Sequence, residues 1–155
     1  MKNLLKSFGY AFKGITYCIA HERNMRIHLC FMAYMFGFLT VHDFFEVSRT
    51  QFALLFAVCG LVLALEAVNT AIEKAVDLAT EKQNPLAKIS KDTAAGAVLV
   101  SAIFSVIIGV VILFQPDAFI AMAEYYRERI YLLVILALSL VLSFAFIIKG
   151  IPSRR

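Results

Sequence analysis

Two uncharged stretches in the second half of the chain are each long enough to cross a lipid bilayer. Residues 94–114 and residues 130–148 contain no Asp, Glu, Lys or Arg. A helix needs about 20 consecutive apolar residues to cross the hydrocarbon core of a membrane. The pattern therefore predicts a membrane-spanning helix at each of these positions.

Two earlier apolar stretches are interrupted by polar side chains. Residues 27–41 contain His28, and residues 52–72 contain Glu66 and Asn69 in their second half. An ionisable residue deep in a span costs about 2.5–3.5 kcal/mol on insertion scales, so it needs a partner or a wet site. We predict an all-α membrane protein, with three core membrane-spanning helices from these stretches and residues 94–114, and a fourth at the carboxyl end.

The first 20 residues form an amphipathic pattern instead of a continuous apolar run. At 100° per residue the large apolar side chains fall on one side of a helix, and Tyr10, Tyr17 and the lysines fall on the other. Such a helix lies in the plane of the membrane interface, and a secretory signal would need an unbroken apolar segment. We predict a surface helix here, and loops at residues 41–49, 78–86 and 115–129, where polar residues and prolines interrupt the pattern.

The charges give the chain an orientation in the membrane. If the amino terminus is cytoplasmic, all but three of the 15 Lys and Arg residues lie on the cytoplasmic side, the exceptions being Arg49, Arg127 and Arg129. Basic residues of short loops are retained on that side. The bias predicts four spans with both termini in the cytoplasm. It also accounts for the net charge of +4 through topology and anionic lipids, so no nucleic-acid partner is expected.

Four oxygen-bearing side chains share one face of the second predicted span. Glu66, Asn69, Glu73 and Asp77 are spaced at i, i+3, i+7 and i+11, which places them on one helical stripe. The outer residues of this stripe are explained equally well as the solvated end of the helix. Glu66 and Asn69 lie one to two turns deeper, so they need either a function or hydrogen bonds between helices.

Two more polar clusters lie at the same predicted membrane face. One contains Lys91 and Asp92, where the third span begins, and the other contains Glu22, where the surface helix meets the first span. Carboxylates suit Mg²⁺, and a cation helps to neutralise nucleotide phosphates. The glycine-rich loops of soluble kinases are absent from the sequence. The residues alone therefore leave open an enzyme, a small four-span transporter with Glu66 as its ion or proton site, and an assembly subunit.

A resemblance to a known family narrows these alternatives. Residues 66–77, Glu-Ala-Val-Asn-Thr-Ala-Ile-Glu-Lys-Ala-Val-Asp, resemble the signature of the prokaryotic diacylglycerol kinase and undecaprenol kinase family of small membrane lipid kinases. Residues 9–15, 22–28 and 85–99 are similar to the family's surface helix and to the beginnings of its first and third spans. The resemblance covers about residues 5–115. It implies a lipid kinase core in residues 1–115, followed by an extension in residues 116–155.

The resemblance also implies roles for individual residues. Glu66 would be the general base for the lipid hydroxyl, and Asn69 would orient the reacting groups. Glu22 and Glu73 would hold Mg²⁺ with the phosphates of ATP. The other residues expected to contact or support the nucleotide are Tyr10, Asp77, Lys91 and Asp92. Plainer interpretations are an interfacial anchor for Lys91, an interfacial aromatic for Tyr10 and a helix-dipole partner for Asp92.

The substrate and assembly are likewise expectations from the resemblance. Residues 22–28 and 85–92 are closer to undecaprenol kinases than to enteric diacylglycerol kinases. An ATP- and Mg²⁺-dependent kinase that phosphorylates undecaprenol is therefore expected, with diacylglycerol as the alternative substrate. The family also implies a homotrimer in the bacterial cell membrane, with its active site on the cytoplasmic face. His28 and Ala95 depart from the enteric pattern, which has an acidic residue and a serine near these positions.

Overall fold

Six helices make up the part of the chain that the computed structural model describes, residues 2–80 and 82–150. They are α1 (Lys2–His21), α2 (Arg23–Val41), α3 (Arg49–Ala79), α4 (Pro85–Leu113), α5 (Pro116–Glu128) and α6 (Ile130–Lys149). The described residues contain no strand. The protein is an all-α membrane protein, as the sequence predicts. Among the residues counted for topology, Arg154 and Arg155 lie outside the described range.

Three of the six helices, α3, α4 and α6, are long and apolar enough to cross a membrane. Helix α2, with 19 residues, carries its two arginines in its first turn and packs against both α3 and α6. It therefore lies beside two candidate spans but is not itself one of the three, so the span predicted at residues 27–41 is not confirmed. The predicted breaks at residues 41–49 and 78–86 fall between α2 and α3 and between α3 and α4, and residue 81 in the second break lies outside the described residues.

The predicted loop at residues 115–129 is wrong, because residues 116–128 form helix α5. Pro116 occupies the first turn, where a helix has no backbone hydrogen bond for proline to break. Asp117 lies in the same turn, where the helix dipole favours a negative charge. Pro116 and Asp117, which suggested a loop in the sequence pattern, therefore mark the start of a helix.

The closest packing in the chain is between α3 and α4. Leu55, Cys59 and Val62 of α3 are buried, as are Ala94 and Val98 of α4. In a bilayer, small side chains bring neighbouring helices close together while large apolar side chains face lipid. The exposed Phe, Leu, Ile and Val side chains along α4 and α6 fit this arrangement.

A buried arginine joins the ends of three helices at the polar end of the bundle. Arg26 is 5% exposed and donates hydrogen bonds to the carbonyl oxygens of Ile19 and Ala20 at the end of α1. It also donates to the carbonyl oxygen of Ile147 at the end of α6, at 3.1 Å. The last carbonyls of a helix lack partners within the helix and carry partial negative charge. One guanidinium therefore holds α2, α1 and the carboxyl-terminal helix together.

Gly150 ends α6 against the same junction, and we expect its replacement by alanine to destabilise the protein. Its φ is +66°, and an added Cβ would lie 2.9 Å from the Ala20 carbonyl oxygen. The strain should lower the free energy of unfolding by about 1–3 kcal/mol, measured by thermal unfolding in detergent. Gly37→Ala is the matched control, because an added Cβ there meets nothing within 4 Å. Equal stability of the two variants would contradict the prediction.

Candidate active site

Glu66 lies at the centre of the polar groups between α2 and α3. It is 2% exposed, and its Oε1 is 3.4 Å from Nε2 of His28 on α2. One turn along α3, the Thr70 hydroxyl is buried and donates to the Glu66 carbonyl oxygen. A buried Thr hydroxyl that bonds its own helix needs no other partner. The Glu66 carboxyl is thus held between two helices, with one oxygen facing the imidazole.

Three further polar side chains lie near the Glu66 carboxyl. The carboxylates of Glu22 and Glu73 act on it electrostatically, and the amide of Asn24 is close enough to interact with it. Glu22 precedes α2 in extended conformation, and its side chain makes no capping hydrogen bond. The structure thus brings the predicted residues Glu22, Glu66 and Glu73 together.

Asn69 connects the buried carboxyl to the outer part of the stripe. Its Nδ2 donates to Oε1 of Glu73 at 3.0 Å, four residues further along α3. Its Oδ1 is buried and has no hydrogen-bond partner among the described residues. A buried acceptor without a partner costs free energy, so such an atom marks a place where a ligand or water is expected.

An open groove of about 780 Å³ lies beyond the stripe, where α3 ends and α4 begins. Asp77 of α3 and Lys91 of α4 face each other across it, with Lys91 Nζ 2.5 Å from Asp77 Oδ1. Asp92, Lys82 and Lys88 also line the groove. Asn84 caps α4 by accepting from the Leu86 backbone N–H, which fixes where the groove-lining residues begin. Three lysines and two aspartates therefore line the groove, which leaves its lining with a net positive charge.

Tyr10 stands apart from the other predicted site residues. It is 68% exposed on α1, and Lys13 Nζ lies 6.0 Å from the centre of its ring. No described hydrogen bond or ring contact joins Tyr10 to the groove or to Glu66. The geometry of this single chain therefore does not bring it to the site.

The site residues offer a cation two carboxylates instead of a closed ligand set. No group of three or more His, Cys, Asp and Glu side chains within residues 2–80 and 82–150 is arranged to hold a metal ion. Mg²⁺ is commonly bound through one or two carboxylates, several waters and substrate phosphates. Glu22 and Glu73 fit that pattern. They do not form the closed set of protein ligands that a dedicated metal site would have.

His28 and Arg26 have roles in the structure that the sequence did not predict. His28 contacts Glu66, although the sequence shows it only as an interruption in an apolar stretch. Its spacing of four residues from Asn24 puts both on one face of α2, and this could have indicated a polar site. In the sequence, Arg26 contributes only a positive charge to the predicted membrane topology.

Comparison with known proteins identifies the class to which this site belongs. Residues 9–113 match the family described as prokaryotic diacylglycerol kinase. The chain therefore belongs to that family of lipid kinases. This result favours the enzyme over the transporter and the assembly subunit that the sequence left open.

Relatives under two different names are similar to this chain. It is 42% identical over 115 residues to a diacylglycerol kinase of Synechocystis, covering 74% of this chain and 64% of the relative. It is 41% identical over 114 residues to an undecaprenol kinase of Bacillus subtilis, covering 72% of this chain and 89% of the relative. A diacylglycerol kinase of Pseudomonas aeruginosa is 32% identical over 101 residues, covering 65% of this chain and 80% of the relative.

Proposed function

We propose that the chain transfers the γ-phosphate of ATP to the hydroxyl of a membrane lipid alcohol, with undecaprenol as the preferred substrate. One observation carries the proposal. A single helix, α3, presents the buried Glu66 carboxyl at one point of its stripe and Asp77, beside a lysine-lined groove, 11 residues further along. The two points are about 17 Å apart along the helix axis. A lipid hydroxyl and a water-soluble phosphate donor need such an arrangement, because they approach from different phases.

Glu66 acts in this proposal as the base that accepts the proton of the lipid hydroxyl. Glu22 and Asn24 lie on its polar side, and the apolar cavity beside its neighbour His28 gives a lipid hydroxyl access from the bilayer side. His28 Nε2 lies 3.4 Å from Oε1 of this carboxyl and helps to fix its orientation. Asn69, with its unpartnered Oδ1, accepts from a water or from a donor on the nucleotide and so orients the reacting groups. These groups position the lipid oxygen for in-line attack.

The nucleotide phosphates are assigned to the groove and to the two carboxylates beside Glu66. Glu22 and Glu73 would hold Mg²⁺, which would neutralise phosphate charge when bound. Lys91 donates to the phosphates after leaving Asp77, and Asp77 keeps the ammonium in place before the nucleotide binds. Asp92 lines the same groove. Tyr10 would reach the nucleotide from the surface helix, in an arrangement that includes another subunit or a moved α1.

Two considerations support the rest of the proposal. The basic residues at the α3–α4 turn favour the cytoplasmic side, where ATP is available. A homotrimer in the bacterial cell membrane would give the exposed apolar faces of α4 and α6 partners as well as lipid. Relatives named for undecaprenol and for diacylglycerol match this chain almost equally well, so diacylglycerol is retained as the alternative substrate.

The proposal is tested by Mg²⁺-dependent transfer of labelled γ-phosphate from ATP to lipid in bilayer micelles. Undecaprenol and diacylglycerol are offered side by side to the purified chain, with Glu66→Gln as the inactive control. We expect labelled undecaprenyl phosphate to form faster than phosphatidic acid. Labelling of neither lipid, by protein shown to be folded, would refute the proposed activity.

Lys91→Gln should weaken nucleotide binding more than it slows chemistry. The substitution removes a charge-assisted donor, which is worth about a factor of ten in affinity at a half-exposed site. We expect the KM for ATP to rise about tenfold with kcat changing less. Lys149→Gln removes the same charge at the end of α6, away from the groove, and serves as the control. A similar rise in KM in both variants would show a general effect of charge and contradict a contact at Lys91.

A further inference from the structure

An apolar groove continues from the Glu66 site into the membrane-spanning part of the bundle. A cavity of about 180 Å³ begins beside His28 and is lined by Ile27 and Val62. A second cavity of about 430 Å³ extends it toward the opposite end. The two share four lining residues, Phe31, Cys59, Ser105 and Val106. They are therefore one groove between α2, α3 and α4.

The groove runs deep and has an apolar wall. Along α3 the lining residues run from Val62 to Leu55, a distance of seven residues, or about 10 Å. The deeper cavity has no charged residue in its lining, and its polar atoms come from Cys59 and Ser105. A surface of this kind suits hydrocarbon and would hold water poorly, since buried water needs two or more polar partners.

Two aromatic rings that contact each other lie at the far end of the groove. Phe45, in the turn between α2 and α3, meets Phe119 of α5 edge to face at 5.5 Å. Gln115 holds these segments in place, because its side chain accepts from the Glu46 backbone N–H and donates to the Glu46 carbonyl oxygen. The family match ends at residue 113, so Phe119 and Gln115 belong to the segment that follows the family core.

We propose that this groove binds the part of the lipid alcohol's hydrocarbon chain that follows the hydroxyl and that Phe119 contacts the chain where it reaches the far end of the groove, so that the extension sets a preference for chains long enough to reach it. The proposal rests on the proposed function, since it takes the lipid hydroxyl to lie at Glu66. The position of the groove indicates that the lipid chain occupies it, because the groove opens beside His28, which contacts the Glu66 carboxyl. A chain attached to a hydroxyl at Glu66 enters it directly.

The test compares a short and a long member of one series of polyisoprenoid alcohols as substrates. Phe119→Ala should lower kcat/KM for the long alcohol by about tenfold, since each buried methylene contributes about a fourfold factor. The short alcohol does not reach Phe119, so its kcat/KM should be unchanged. Phe144→Ala on α6, which removes a 65% exposed ring, should affect neither. Equal losses for both alcohols, or no loss for the long one, would overturn the proposal.

Photochemical labelling gives a second measurement that does not depend on catalysis. A long-chain alcohol with a diazirine on the carbon that would lie at the far end of the groove is irradiated with the full-length protein in bilayers, and the labelled peptides are mapped. Labels at Leu113, Phe114 and Phe119 are expected, and Phe119→Ala should reduce them. Labels confined to the outer face of α6, or cross-links between two chains across the groove in place of lipid labels, would overturn the proposal. Labelling in the groove without phosphorylation would refute the proposed activity alone.

Discussion

Glu66→Gln should lower the rate of lipid phosphorylation by about 10²- to 10⁴-fold, the usual contribution of a positioned general base. The amide has nearly the same shape as the carboxyl, but it cannot accept the proton of the lipid hydroxyl. The loss should appear in kcat, measured as initial rates of labelled phosphate transfer at saturating ATP. Binding of ATP should change little, because the lysine-lined groove begins about three turns away along α3.

Two controls make this result specific to the position of Glu66. Glu124→Gln removes a carboxylate from the exposed side of α5 and should leave the rate unchanged. Thermal unfolding of Glu66→Gln should match the parent protein, since the 3.4 Å contact with His28 remains possible with an amide. A folded Glu66→Gln variant with a rate within a few-fold of the parent would exclude Glu66 as the base.

Arg26→Met should cause the largest loss of stability among substitutions at the polar end of the bundle. The change keeps much of the apolar length but removes three hydrogen bonds to carbonyl oxygens of α1 and α6. We expect the free energy of unfolding to fall by about 3 kcal/mol, because a charged donor is lost and partly buried acceptors remain. Thermal unfolding in detergent measures this change.

The comparison for Arg26→Met is Arg23→Met, three residues earlier on α2. Arg23 is exposed and makes none of the described hydrogen bonds or salt bridges. Its replacement should change stability by no more than about 0.5 kcal/mol. If both variants lose the same amount, the stabilising effect belongs to general charge at the membrane surface instead of to the junction at Arg26.

Most of the helical architecture follows from the length and spacing of apolar residues. The stretches at residues 52–72, 94–114 and 130–148 each became the centre of a long helix, because about 20 apolar residues have no stable alternative to a helix in lipid. Helix α5 was missed for a local reason. Its Tyr125, Tyr126 and charged neighbours make no continuous apolar run, and Tyr125 packs instead against His42 from another segment.

Part of the candidate site could likewise be predicted from local sequence spacing, and part depends on tertiary packing. Helical periodicity alone placed Glu66, Asn69, Glu73 and Asp77 on one face, and the Asn69–Glu73 hydrogen bond lies along it. The contact of His28 with Glu66 depends on how α2 packs against α3. Spacing along one helix contains no information about such a contact, so it could be read only from the structure.

Helix α3 has 31 residues and is about 47 Å long, which exceeds the hydrocarbon core of a bilayer by more than ten residues. Between Glu66 and Asp77 the helix is continuous, so the protein has no joint with which to adjust their separation. The membrane around the helix, in contrast, can differ in thickness. A thicker or thinner bilayer would shift the depth of Glu66 relative to the lipid headgroups, so we expect the rate of lipid phosphorylation to depend on bilayer thickness.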